Sequence, residues 1–208
     1  APYTRNCMAD GAVGLMDVLD LESAHICGAS MGGMIVQTMA IRHGDRIRSM
    51  TSIMSSTGNP ELPPSTPEAS EALLSPPGKT VDEVMDRTLH VQRVIGSPAY
   101  RDTDEAIRER AREDFERSFY PQGVARQMAA IAASGNRKPA LGRITTPTLV
   151  IHGKDDPLVP LAGGLDTHEA INGSELKVID GMGHDLPEQL WPDIVSHVTA
   201  HTARHDAT

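Results

Sequence analysis

The stretch Ala24-His25-Ile26-Cys27-Gly28-Ala29-Ser30-Met31-Gly32-Gly33-Met34 decides how the chain folds. A short apolar run ends at a cluster of small residues and passes at once into a helical pattern, Met31 to His43, which stops at Gly44. Ser30 therefore falls between a buried strand and a helix. A sharp turn crowds the positions two residues to either side of its apex, and Gly28 and Gly32 remove the side chains that would clash there. A helix beginning at Met31 aims free backbone N–H groups and the positive end of its dipole at Ser30, where acyl transfer builds negative charge. Ser30 is thus a candidate nucleophile and the Met31 backbone N–H a candidate oxyanion donor. Taken alone, the five-residue pattern also suits a structural turn serine.

Upstream, Met8, Val13, Leu15, Met16, Val18 and Leu19 follow a helical period from Thr4 to about Leu19, with Thr4 as N-cap. Downstream, 47–54 reads as a second strand, and strand, helix, strand at short spacing signals a parallel sheet with crossover helices. The pattern changes at Ser55. Pro60, Pro63, Pro64, Pro67, Pro76 and Pro77 preclude a continuous helix or a central strand up to about Gly78. Helical segments follow at 81–95, 104–119 and 123–133. The region 56–140 reads as a helical cap inserted into a core formed by 1–55 and 141–208; a separate small helical domain would give the same pattern. The sheet resumes at 147–153, a buried apolar run that leads into Lys154-Asp155-Asp156-Pro157. Carboxylates there stand at the carboxyl end of a parallel strand, where ligands bind in such sheets. A helix at 161–171, a last strand at 175–180, the loop Gly181-Met182-Gly183-His184-Asp185 and a helical tail complete the chain.

Three strand ends thus deliver Ser30, Asp156 and His184 in that order. A serine hydroxyl is a poor nucleophile until an imidazole removes its proton, and the imidazole needs a carboxylate to fix its tautomer and stabilise its charged form. The roles are Ser30 nucleophile, His184 general base then acid, and Asp156 orienting group.

Composition narrows the alternatives. The 208 residues suffice for one good-sized core. A net charge of -9, from 19 basic and 28 acidic residues, disfavours nucleic acid and anionic membrane surfaces as partners. No apolar run is long enough to span a bilayer and no signal peptide is apparent, so a cytoplasmic protein is the default. Cys7 and Cys27 read as two packed thiols rather than a disulfide framework. No metal, flavin or nicotinamide motif appears, so no cofactor is expected. His197, His201 and His205 share a helix face, but without a zinc motif they read as a solvated terminal helix. His25 and His152 read as packed, Met34, Met39, Met50 and Met54 as core, Trp191 as an anchor for the last helix, and Asp104 to Arg117 as a solvated charged face.

The chain resembles the α/β-hydrolase superfamily, and within it the capped esterase-like group. The residues that carry the resemblance are Gly28-Ala29-Ser30-Met31-Gly32-Gly33, Pro147-Thr148-Leu149-Val150-Ile151-His152-Gly153-Lys154-Asp155-Asp156-Pro157, and Gly183-His184. The resemblance implies that the acid lies three residues after the strand-ending glycine, which selects Asp156 over Asp155. It also implies cleavage of a small-molecule carboxylic ester through an acyl-enzyme on Ser30. Carbon–carbon bond hydrolysis or cofactor-free perhydrolysis on the same triad is the alternative. Family members carry further N-terminal strands and a loop whose backbone N–H is the second oxyanion donor. These 208 residues contain neither, so the expectation is a sheet reduced to its later half, with 24–29 as an exposed edge. The chain then reads as a fragment, completed by a missing N-terminal segment or a homo-oligomeric partner, or as an inactive truncated form.

Overall fold

The computed structural model describes residues 3–206, which form one parallel four-stranded sheet in the order β1-β2-β3-β4. Helix α1 (Arg5–Val18) precedes β1 (Ala24–Ala29), and α2 (Met31–Arg42) crosses over to β2 (Ile47–Ile53). A long excursion follows through α3 (Pro67–Leu74), α4 (Val81–Ile95), α5 (Asp104–Arg117), α6 (Pro121–Ala133) and α7 (Lys138–Leu141). The chain then returns to β3 (Thr148–Gly153), α8 (Leu161–Ala170), β4 (Glu175–Ile179) and α9 (Trp191–Ala203). Among the described residues β1 pairs with β2 alone, so it lies at the edge of the sheet.

Alternation along the strands divides the interior into two parts. On one face Ile26 and Met50 pack with Val36, Met39 and Ala40 of α2, with Ala9, Val13 and Met16 of α1, and with Ile171 after α8. On the other, Ile53, Leu149, Ile151 and Ile179 pack with Met182, Leu190 and Ile194, beneath α9. The central strands are buried on both faces, which is why 47–53 and 148–153 read as nearly continuous apolar or small-residue runs.

Two buried arginines tie the end of the excursion back to this core. Arg137, pushed down to about 9 by burial and by the charge of Arg5, donates to the Ser56 carbonyl at 2.6 Å and to Gln37 Oε1 at 3.0 Å. Arg5 donates to the Gly135 carbonyl at 3.2 Å, and its backbone N–H to Ser134 Oγ at 3.1 Å. Each guanidinium is bonded mainly to carbonyl oxygens rather than to a carboxylate, and Arg5 Nε is left buried without a partner among the described residues.

The structure corrects several expectations. The proline-rich stretch carries no continuous helix or strand, as expected, but holds one short helix that the sequence reading did not mark, α3, because Pro67 occupies the first turn, where no N–H is needed, and the Thr66 hydroxyl caps Ala69 N at 3.2 Å. Cys7 and Cys27 are exposed rather than packed, Cys27 because β1 is an edge strand. Trp191 is 52% exposed, its indole N–H donating to the Leu186 carbonyl, so it does not anchor α9. His201 is buried, not solvated, and bonds Glu175 at the start of β4. Among the described residues, no helix is long and apolar enough to cross a membrane.

Ile151, fully buried at the centre of the sheet, reports directly on this packing. Ile151→Ala should lower unfolding stability by about 2–5 kcal/mol, measured from denaturant midpoints; an unchanged midpoint would contradict the placement of β3.

Candidate active site

Ser30 occupies the turn between β1 and α2 with φ 53° and ψ −117°, a conformation non-glycine residues rarely adopt. Such backbone strain costs on the order of 1–3 kcal/mol. The surroundings hold it: Ser30 N donates to the Ile53 carbonyl at 2.9 Å, and the Ser30 carbonyl accepts from Met34 N at 3.2 Å. Gly28 meets the steric demand read from the sequence, since a Cβ there would be driven into the Gly32 carbonyl, whereas the expectation fails at Gly32, where a Cβ would meet nothing within 4 Å.

Asp156 follows β3 in a tight turn that its own carboxylate organises. Oδ1 accepts from Leu158 N at 2.9 Å and Val159 N at 2.8 Å, leaving Oδ2 for His184 Nδ1 at 2.7 Å. The other imidazole nitrogen, Nε2, lies 2.8 Å from Ser30 Oγ. An ionised carboxylate only accepts, so Nδ1 carries the proton toward Asp156 and Nε2 is free to receive the Ser30 hydroxyl proton. The Asp156 side chain is fully buried and that of His184 is 8% exposed, which keeps competing water away from both bonds. The three residues marked by the sequence are thus joined in one hydrogen-bonded chain. Asp155 points elsewhere, accepting from Gly181 N at 2.8 Å and so bracing the loop that leads to His184.

His152 adds a support that its reading as a packed residue did not contain. It is fully buried, burial pushes its pKa down, and its neutral ring donates from Nε2 to the Val159 carbonyl at 2.8 Å. It therefore fixes the far side of the turn that presents Asp156. On the His184 side, Asp185 Oδ1 accepts from Ser97 N at 2.9 Å; Ser97 lies far away in sequence, and nothing in its local pattern marks it.

Met31 begins α2 directly after Ser30, so its N–H is one of the donors a helix start leaves without an intrahelical partner. Beside it a cavity of about 590 Å³ is walled by Tyr3, Met8, Met31, Ile35, Arg126 and Gln127.

The terminal histidines do not join this site. Donor atoms of Glu175, His201 and His205 lie within 4.8 Å of one another, the spacing of a possible metal site among the described residues. Arg204 already holds both Glu175 oxygens, at 2.5 and 2.6 Å, so an ion would have to displace it. His197 instead faces Asp193 at 3.4 Å.

The chain is similar to several known proteins. A 2-hydroxy-6-oxononadienedioate/2-hydroxy-6-oxononatrienedioate hydrolase of Paraburkholderia xenovorans (strain LB400) is 29% identical over 172 residues, covering 82% of this chain and 59% of that protein. The chain therefore spans about three fifths of the length of that relative. A rhodomycin D methylesterase of Streptomyces peucetius is 24% identical over 222 residues, covering 97% of this chain and 74% of that protein. Among solved structures, the 2-hydroxy-6-oxo-6-phenylhexa-2,4-dienoate hydrolase from Rhodococcus sp. strain RHA1 superimposes with a TM-score of 0.74 at 22% identity, covering 96% of this chain and 70% of that one. The sequence profile of the alpha/beta hydrolase fold matches residues 6–189, and with the parallel sheet and the turn at Ser30 it shows that this chain belongs to the α/β-hydrolase family.

Proposed function

We propose that this α/β-hydrolase chain cleaves a carboxylic ester of a small molecule through an acyl-enzyme on Ser30. The observation that carries the reading is the continuous chain from Ser30 Oγ to His184 (2.8 Å) to Asp156 (2.7 Å), placed where β1, β4 and β3 end. Ser30 Oγ attacks the ester carbonyl while its proton passes to His184 Nε2. Asp156 stabilises the imidazolium, and the Met31 N–H faces the oxygen as it gains charge. The alcohol leaves with the proton from His184. Water, deprotonated by the same nitrogen, then attacks the acyl group and frees the acid and Ser30. In this reading 1–55 and 141–208 form the core, and 56–140, carrying α3 to α6, forms a cap over the substrate. No cofactor takes part.

A second reading uses the same residues. Several relatives are named as 2-hydroxy-6-oxononadienedioate/2-hydroxy-6-oxononatrienedioate hydrolases, and 2-hydroxymuconate semialdehyde hydrolase of Pseudomonas sp. (strain CF600) is 29% identical over 188 residues. Their substrates support carbon–carbon bond hydrolysis as the alternative, with a carbon leaving group in place of the alcohol. The methylesterase among the relatives supports the ester.

A short chromogenic ester and a vinylogous diketone, tested side by side, separate the two. The ester reading predicts an alcohol burst followed by turnover of the ester and none of the diketone; the reverse preference would replace it with the carbon–carbon reading. Ser30→Ala should abolish the burst in either case, and a burst surviving that change would remove Ser30 from the mechanism. Asp156→Asn, which keeps the shape of the side chain but spoils the tautomer, should lower kcat by about 10⁴-fold, measured by steady-state kinetics; a drop of less than about tenfold would contradict the role given to Asp156.

A further inference from the structure

The loop that carries His184 is held from two sides. Toward the sheet, Asp155 N donates to the Met182 carbonyl at 3.0 Å. Toward the excursion, the contacts converge on the end of α4. His184 N donates to the Ile95 carbonyl at 2.7 Å, Gly183 N to Ser97 Oγ at 2.9 Å, and Ala99 N to the Gly181 carbonyl at 3.3 Å. The Asp185 side chain supplies the rest: Oδ1 accepts from Ser97 N at 2.9 Å and from the Ser97 hydroxyl, and Oδ2 accepts from the Gln92 amide. The two backbones touch, since a Cβ on Gly183 would stand 2.6 Å from the Gly96 carbonyl.

This arrangement is expensive for a carboxylate. Asp185 is partly buried, and among the described residues no cation pairs with it. Arg110, across the same small hollow, pairs with Asp102 at 2.5 Å instead. Burial pushes the Asp185 carboxyl up, and the charge of Asp102 adds to the effect. By linkage, a carboxyl raised in the folded state lowers stability as pH rises above the ordinary carboxylate range. Ionisation of Asp185 thus costs stability at neutral pH, while its hydrogen bonds hold the residue next to His184.

We propose that Asp185 is a positioning residue for His184: its carboxylate locks the His184 loop to the end of α4, keeping the imidazole within reach of Ser30 and Asp156 together. The proposal rests on the reading of His184 as general base. It makes the helical excursion part of the support of that base, so that displacement of α4 withdraws the imidazole from Ser30.

The test compares the 208-residue chain with Asp185→Ala, Asp185→Asn and Ser97→Ala. Two readouts are used: long-range ¹H–¹⁵N spectra of the His184 ring, assigned by loss in His184→Gln, and the rate at which a small fluorophosphonate labels Ser30, with Ser30→Ala as blank. The native ring should show one fixed tautomer with the proton on Nδ1. Asp185→Ala should show averaged ring shifts and labelling slower by about tenfold or more, the size expected from a small misplacement of a reacting group. Asp185→Asn retains the oxygen that accepts both Ser97 donors, so it should keep the fixed tautomer without loss of thermal stability. Ser97→Ala should fall between the two and serves if Asp185→Ala does not fold. Native ring shifts in folded Asp185→Ala or, failing that, in Ser97→Ala would overturn the proposal. Should the native chain not label at all, the ring spectra still decide the positioning role, and the missing label counts against the serine reading alone.

Discussion

Everything at the site depends on the two nitrogens of one imidazole being engaged at once. His184 has to face a carboxylate with Nδ1 and a hydroxyl with Nε2, at 2.7 and 2.8 Å, although its partners arrive from different strands and a loop. A parallel sheet solves this by bringing the carboxyl ends of all its strands to one edge. The register of β2 between β1 and β3, with Ile53 beside both Ala29 and Ile151, sets how far apart Ser30 and the Asp156 turn can lie. The core packing on both faces therefore serves the site as well as stability.

Each member of this hydrogen-bonded chain is held in turn by groups outside it. The strained turn at Ser30 is held by the Ile53 carbonyl, the Asp156 turn by its own amides and by the His152 ring, and the His184 loop by Asp155 and Asp185. Several of these supports cost stability on their own account: a positive φ and, among the described residues, a buried neutral histidine with an unpartnered nitrogen and a carboxylate without a cation. Concentrating such costs around one imidazole is what a pre-organised site requires, since precise placement is what lowers a reaction barrier.

Much of this was legible in the sequence because the informative residues sit beside elements with strong local signals. The apolar runs at 24–29, 47–53 and 148–153 mark strands, and Ser30 and Asp156 follow two of them within a few residues. His184 follows the last strand in a glycine-flanked loop. What escaped was set by distant parts of the chain. The exposure of Cys27 depends on which strands flank β1, and the burial of His201 on where the end of α9 meets Glu175. Asp185 looks like any loop aspartate until Ser97 and Gln92 are brought to it from the excursion. Helix α3 was hidden because prolines argue against helices in general yet favour a first turn.

The most direct test of the account is chemical identification of the acyl intermediate. The chain is mixed with a slowly deacylating ester, quenched in acid within seconds and digested, and the peptide spanning β1 and α2 is sequenced by mass spectrometry. The account predicts one acyl group, on Ser30, and its disappearance when His184 is replaced by Gln. An acyl group on any other residue, or steady turnover with no acyl adduct at any quench time, would contradict it.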